Sequence, residues 1–487
     1  MTTRSSGRGL EMRRSMATKK ALSEADRQKV IFMLVLGSIM QALAHWSIGP
    51  MLFAPVLLAF GWGLVSIAFP ERKPELRAFL LAFSACILVG GLAQSYSQIF
   101  FNKLQSTLDA RHFIRDISRQ ISWDEMIAQN VNDAPLAVQI WKYFYMMLEV
   151  VGFSPGSYIG VIVNALIIGV VGSLSVQAAR AVFGDDDWRL RRVGTLVAFY
   201  GLFLLFGGVL IRDSFTTFVN VLLFLGILRW LARPTIRRLL TAAVFTGICV
   251  WSTIYLRPEA VFIPAVYWAL ALFVCFFVGT TRSRLNAVFA FALVMLVGGA
   301  SFASYFQIVA EVSVEETTAY TEMSTDRAAT DSLGVRFVVG QPLPIRMLFC
   351  SFLQMVYPLP LWDYFRFDRF DYHWIKGYNG IYQMFVLPLV FVGVHQVYRL
   401  FSKSQAKGKT LLLIFVFMYV ILNLLGVSAT SMEQRHFAQF FPAVAILAAI
   451  PNTRRLATRQ EVQQMSAKWW MLVIGIHLVW IILKIAI

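Results

Sequence analysis

Long apolar stretches recur from one end of this chain to the other, and each is bounded by a short polar or charged turn. A helix that crosses a bilayer needs about 20 mainly apolar residues. Stretches of that kind fall at 30–47, 51–69, 78–99, 157–179, 193–210, 214–231, 239–255, 260–279, 286–309, 378–398, 410–427, 437–451 and 469–486. The pattern predicts an all-α polytopic integral membrane protein with 13 spans, within a range of 12 to 14. Composition closes off the alternatives. Charged residues make up 15% of the 487 positions and hydrophobic ones 58%, too few ionic groups to coat a water-soluble core of this size. Disordered, collagen-like and disulfide-framework chains have other compositions.

The net charge of +17 resembles a nucleic-acid footprint only until it is sorted along the chain. Segments 1–29, 70–77, 180–192, 229–238, 280–285, 399–409 and 452–468 hold 29 of the 44 Lys and Arg but 9 of the 27 Asp and Glu. They carry +20, and everything else carries −3. Alternating the sides of successive spans puts all seven on the cytoplasmic face, as basic loops require. The expected topology is a basic cytoplasmic tail over 1–29, one transmembrane domain over 30–486, and a C-terminus on the outer side. Charge divided among seven loops faces anionic lipid, and nucleic acid is not an expected partner.

Two outer loops are long, 100–156 and 310–377. The first holds a polar stretch and then an apolar helix around Trp141–Phe153, expected to lie at the interface. The second holds the acidic, Thr-rich run 310–344, a candidate lid. It also holds 345–361, read as a re-entrant or interfacial helix stopped by Pro358 and Pro360, because a full span there would invert the charge pattern of everything after it. Cys86, Cys249, Cys275 and Cys350 sit in or beside apolar segments and read as small buried hydrophobes.

Charged groups at membrane depth are costly and face cavities. Three outer junctions each pair a cation with an acid: Arg212 and Asp213 in LIRDSF, Arg257 and Glu259 in YLRPEAVF, Arg435 and Glu433 in SMEQRHFAQFFP, where His436 follows. The fixed fork of arginine donors matches phosphate, so converging arginines suit a phosphate or pyrophosphate. Each junction alone is also explained as a self-neutralising turn. In the first long loop Asp109 and Asp116 flank Arg111, His112 and Arg115. Asp109, just beyond a span, suits a general base, and a helix cap or surface charge is the plainer alternative. No His, Asp and Cys cluster has metal-ligand spacing, so neither metal nor cofactor is expected. No Gly-rich loop is followed by the lysine that ATP hydrolysis needs.

The stretches STLDARHFIRDI, GGVLIRDSFTTFVNVLLFLGILRWL, YLRPEAVFIPA and SMEQRHFAQFFPAVAILAA, in this order over roughly 100–450, resemble segments of bacterial envelope polysaccharide proteins. Two related families are suggested: Wzy-type repeat-unit polymerases and GT-C superfamily glycosyltransferases that use polyprenyl-phosphate sugars. In the last segment Glu433, Arg435 and Pro442 match, and His436 stands where an aromatic residue is usual. The resemblance implies a GT-C-like helical bundle with outer-face loops. It implies a polyprenyl-linked saccharide donor and a glycan acceptor as substrates, with other polysaccharide-assembly proteins as partners. Arg212, Arg257, Arg435 and His436 would bind the (pyro)phosphate, and Asp109, or else Glu433, would act as the base. Asp213, Glu259, Arg111 and Asp116 would support them. Many GT-C enzymes carry an acidic pair in the turn after the first helix. Here that turn is AHWSIGP, without a carboxylate, which favours metal-independent, polymerase-like chemistry. A transferase of single sugars, a transporter of lipid-linked solutes and a non-catalytic scaffold are the alternatives.

Overall fold

The computed structural model describes residues 22–70, 72–104, 108–118, 125, 134–152, 156–257, 260–278, 284, 286–290, 292, 341–356, 361, 365, 370–402, 407–430 and 434–486. Among them every regular element is helical. In chain order these are α1 (Glu24–His45), α2 (Gly49–Ala68), α3 (Lys73–Phe101), α4 (Leu108–Ser118), α5 (Pro135–Val150), α6 (Tyr158–Phe183), α7 (Asp187–Ala198), α8 (Gly201–Gly208), α9 (Asp213–Ala232), α10 (Ile236–Leu256), α11 (Ile263–Val278), α12 (Leu343–Val356), α13 (Phe370–Ser402) and α14 (Lys407–Thr430). A 3-10 helix, Gln434–Phe440, leads into α15 (Phe441–Ala449), and α16 (Leu456–Ala486) ends the chain.

Local chemistry sets the ends. The Ser23 hydroxyl accepts from the Asp26 amide at 3.1 Å and caps α1, whose first turn carries Glu24 and Asp26 against the helix dipole. Trp46 and Asn102 take the left-handed conformation that closes α1 and α3, with φ of 49° and 51°. Thr235 caps α10 and Asp186 caps α7.

Nine helices among the described residues are long and apolar enough to cross a membrane, and the bent pair α7 and α8 makes a tenth where it is counted as one span. The expected span 193–210 is that pair, broken by 55°. A break frees carbonyls that lipid cannot satisfy. Here α13 supplies the donors: Tyr382 donates to the Leu196 carbonyl at 2.6 Å and Tyr378 to that of Phe199 at 3.0 Å. The expected span 437–451 is the 3-10 helix followed by nine-residue α15. The 260–279 stretch forms the 16-residue α11, and most of 286–309 lies outside the described residues. The apolar stretch 345–361 forms the 14-residue α12, shorter than a span. It rests on α14 through Ser351 and Ser428, whose hydroxyls stand 2.9 Å apart. The lid candidate 310–344 falls outside the described residues except at 341–344. The four cysteines are buried thiols.

Helix α6 lies at the centre, with 89% of its apolar window buried, whereas 17% of that of α16 is buried. Helices α1, α2 and α16 therefore form a rim, and large apolar side chains such as Phe32, Phe60, Trp62 and Ile474 cover it as a lipid-facing surface does. Between rim and centre, α1 meets α3 backbone to backbone. A Cβ on Gly37 would lie 2.5 Å from the Ile87 carbonyl oxygen, and Gly91 faces Gly37 from the other helix.

The basic segments gather at one end of the bundle. Arg77 pairs with Asp26 at 2.8 Å and donates to Thr195 at 2.9 Å. Arg180 pairs with the fully buried Glu75 at 2.8 Å. Arg189 and Arg192 donate to the carbonyls of Ile450 and Pro451, at 3.2 and 2.9 Å. The loops 70–77, 180–192, 229–238 and the start of 452–468, separate in sequence, thus form one basic surface. Replacing Gly37 by Val should force α1 away from α3 and cost about 1–3 kcal/mol. A lowered midpoint of thermal unfolding in detergent reads this out, and a wild-type midpoint would refute the close crossing.

Candidate functional site

At the end of the bundle opposite the basic surface, one buried amide organises the chain. Asn164 of α6 donates from Nδ2 to the carbonyls of Val209 and Ile211, both at 3.0 Å. Its Oδ1 accepts from the Trp141 indole and the Ser214 hydroxyl, both at 3.0 Å. All of the amide's common hydrogen-bonding capacity is thereby used inside an apolar helix bundle. The segment 209–211 is pinned between α8 and α9, which places Arg212 at the N-cap of α9 and Asp213 in its first turn. Helix α10 packs beside α9 and ends at Arg257, whose amide donates to the Thr253 carbonyl at 2.7 Å.

The 3-10 helix Gln434–Phe440 covers this junction. Asn220 of α9 donates to Gln439 at 2.6 Å and holds it there. His436 thus meets Arg257, with Nη2 of the arginine 3.0 Å from Nε2 of the imidazole. A guanidinium has no acceptor, so the histidine nitrogen accepts and the ring is neutral with its proton on Nδ1. On the other side of Arg257, Nη1 lies 3.8 Å from Oδ1 of Asp213, an ion pair longer than a hydrogen bond. Arg257 and Asp213 expose only 7% and 3% of their surface.

Four cations act on His436. Burial is the largest influence that drives its imidazole well below the usual histidine range, and Arg257, Arg435, Arg212 and Lys376 follow. The three arginines of the separate junctions therefore converge, and Lys376 of α13 joins them as a buried ammonium. Among the described residues Asp213 is the carboxylate that faces this group. Glu259 and Glu433 lie outside the described residues. Among the described residues, several cations are thus drawn near one neutral ring, with the Asp213 carboxylate beside them.

The first long loop is tied to the same hub. Phe113 of α4 packs edge-on against Trp141 of α5 at 5.2 Å, and Trp141 against Phe215 of α9 at 5.5 Å. Within α4, Asp116 is buried and faces Arg115 at 3.6 Å, while Arg111 is exposed. Asp109 belongs to the first turn of α4, and its side chain lies outside the described residues. The interfacial helix expected around Trp141–Phe153 is α5. Three contributors escaped the sequence reading: Lys376, Asn164 and Trp141. The signal for the first was a lysine inside the apolar, aromatic run that begins α13, and for the second an amide in the middle of GVIVNALIIGV. Among the described residues no group of three or more His, Cys, Asp or Glu side chains is arranged to hold a metal.

Replacing Asn164 by Leu strands the Trp141 N–H and two buried carbonyls, at about 1–3 kcal/mol for each group left without a partner. Unfolding in detergent should shift down accordingly; an unchanged midpoint would remove Asn164 from its role. The neutral His436 has a signed consequence for pH. An unfolded histidine takes up a proton near pH 6.5 and this folded one does so only at lower pH, so stability falls as pH drops below about 6.5. The variant His436→Gln should flatten that slope. Equal slopes in the two proteins would show that the histidine titrates normally. The chain matches no known protein family, and no curated protein matches it.

Proposed function

We propose that this chain is a polytopic membrane glycosyltransferase of the polysaccharide-polymerase kind. It transfers a saccharide from a polyprenyl (pyro)phosphate carrier to a growing or lipid-linked glycan. The observation that carries the reading is the meeting of Arg212, Arg257, Arg435 and Lys376 around His436, at the end of the bundle opposite the basic surface. The proposal includes a GT-C-like bundle of 13 spans in a bacterial inner membrane, with the basic surface and N-terminus cytoplasmic and the cationic site facing out.

In this reading the carrier's tail lies in lipid and its (pyro)phosphate sits among the four cations. The acceptor hydroxyl attacks the anomeric carbon and the bond from that carbon to the phosphate oxygen breaks. Negative charge then grows on the leaving oxygen, where fixed arginine and lysine charges stabilise it more than they stabilise the bound donor. Asp109 takes the hydroxyl proton, with Glu433 as the other candidate. The Phe113–Trp141–Phe215 contacts support the Asp109 assignment, because they tie its helix to the segment that carries Arg212. Asp213 orients Arg257 from one side and His436 from the other, so the histidine acts on phosphate through the arginine.

Arg257→Ala and Arg257→Lys, each with insertion verified, should lower polymer formation about 100- to 1,000-fold, the range for loss of one preorganised charge-stabilising donor. The lysine keeps the charge and loses the fork, so its failure would assign the effect to geometry. Wild-type polymer from both variants would sink the proposal. Glycan length in cells lacking the gene separates a polymerase from a transferase of single sugars.

A further inference from the structure

At the basic end, three arginines converge where the described residues give them little counter-charge. Arg72, just before α3, donates from Nη1 to Oε1 of Gln177 at 3.1 Å. Arg229, near the end of α9, donates from Nη2 to the same oxygen at 2.6 Å. Two full charges thus share one neutral acceptor, on a side chain that is 2% exposed. The Gln177 amide donates in turn to Oε1 of Glu75 at 2.7 Å. That carboxylate is already engaged by Arg180 through two hydrogen bonds, at 2.8 and 3.0 Å, and Arg180 also pairs with Asp185. Arg238 reaches across to the Arg229 carbonyl at 3.1 Å. Both Arg72 and Arg238 stand close enough to Arg229 to repel its charge, and Glu75 is the acidic group that offsets them.

The backbone adds to the excess. Arg72 is the N-cap of α3 and Arg238 lies in the first turn of α10, where the helix dipole adds positive charge. The first turn of α10 holds no acidic residue. Arginine at these positions is unfavourable unless an anion joins it. Among the described residues, four arginines meet two carboxylates here, and both carboxylates pair with Arg180.

We propose that Arg72, Arg229 and Arg238 form a binding site for a phosphate group, taken as the headgroup of an anionic lipid at this end of the bundle or as soluble phosphate. The guanidinium fork matches phosphate oxygens, and a basic pocket between helices at a membrane face is where a lipid headgroup can reach it. The site is separate from the cationic group around His436, and its test does not involve glycan synthesis.

The full chain is placed in nanodiscs of phosphatidylcholine with a small fraction of phosphatidylglycerol, and lipid retained on the released protein is measured by native mass spectrometry. Arg72→Gln and Arg229→Gln should each retain phosphatidylglycerol about fivefold less than wild type. Arg459→Gln, an exposed arginine on α16, should retain it as wild type does. Arg72 is exposed, so its variant keeps the test open if Arg229→Gln fails to fold. In a second arm, millimolar inorganic phosphate is added in detergent and thermal unfolding is followed. Stabilisation of wild type but not of Arg72→Gln, without lipid retention, identifies a soluble phosphate as the occupant and supports the site. Equal retention by wild type and Arg72→Gln with no stabilisation by phosphate overturns it. So does an equal loss in Arg459→Gln, which would mean diffuse surface attraction.

Discussion

The amide of Asn164 is the interaction on which the far end of this bundle depends. A break between two helices inside an apolar bundle leaves carbonyls with no water to bond, and each costs several kcal/mol if left alone. One side chain answers that cost for Val209 and Ile211, and it anchors Trp141 and Ser214 as well. Because it also fixes where α9 begins, the same bonds decide where Arg212 and Asp213 stand. The first outer loop is referred to this point through Trp141 and Phe113. Precision at the cationic site therefore originates in a neutral group buried beside it.

Charge is organised differently at the two ends. On the basic surface arginines are spread over several helix ends and are largely occupied with structural tasks: pairing with Asp26 and Glu75, or tying α7 to the end of α15. At the far end, fewer cations are drawn into one spot, and a half-buried neutral histidine stands among them. Surface pairs in water contribute little to stability.

Much of this was legible in the chain, and the losses have physical causes. Apolar length located nine helices among the described residues that can cross a membrane, because the bilayer imposes a minimum that sequence must meet, while the expected count was 13. The sorted charges anticipated that loops as distant as 70–77 and 180–192 would form one surface, as Arg180 and Glu75 do. The junction motifs picked out Arg212, Arg257 and His436. The break at Phe199–Tyr200 was not legible, since the local residues do not force it. Its carbonyls are satisfied by Tyr378 and Tyr382 from a distant helix, and Gly201 lets Asn379 lie against the backbone. The 3-10 form of Gln434–Phe440 escaped for the same reason: its hold comes from Asn220. Lys376 was passed over because a lysine next to Trp374 and Tyr378 looks like a headgroup anchor.

The histidine is the neutral member of this cluster of charges. A phenyl ring at position 436 would fill the space but leave Arg257 without an acceptor on that side. A carboxylate there would bind Arg257 firmly and cancel its charge. Neutral imidazole offers a lone pair at 3.0 Å and no net charge. The surrounding cations keep it in that form, since each opposes its protonation. Arg257 is thus oriented from two sides, by the Asp213 carboxylate at 3.8 Å and by a neutral acceptor at 3.0 Å.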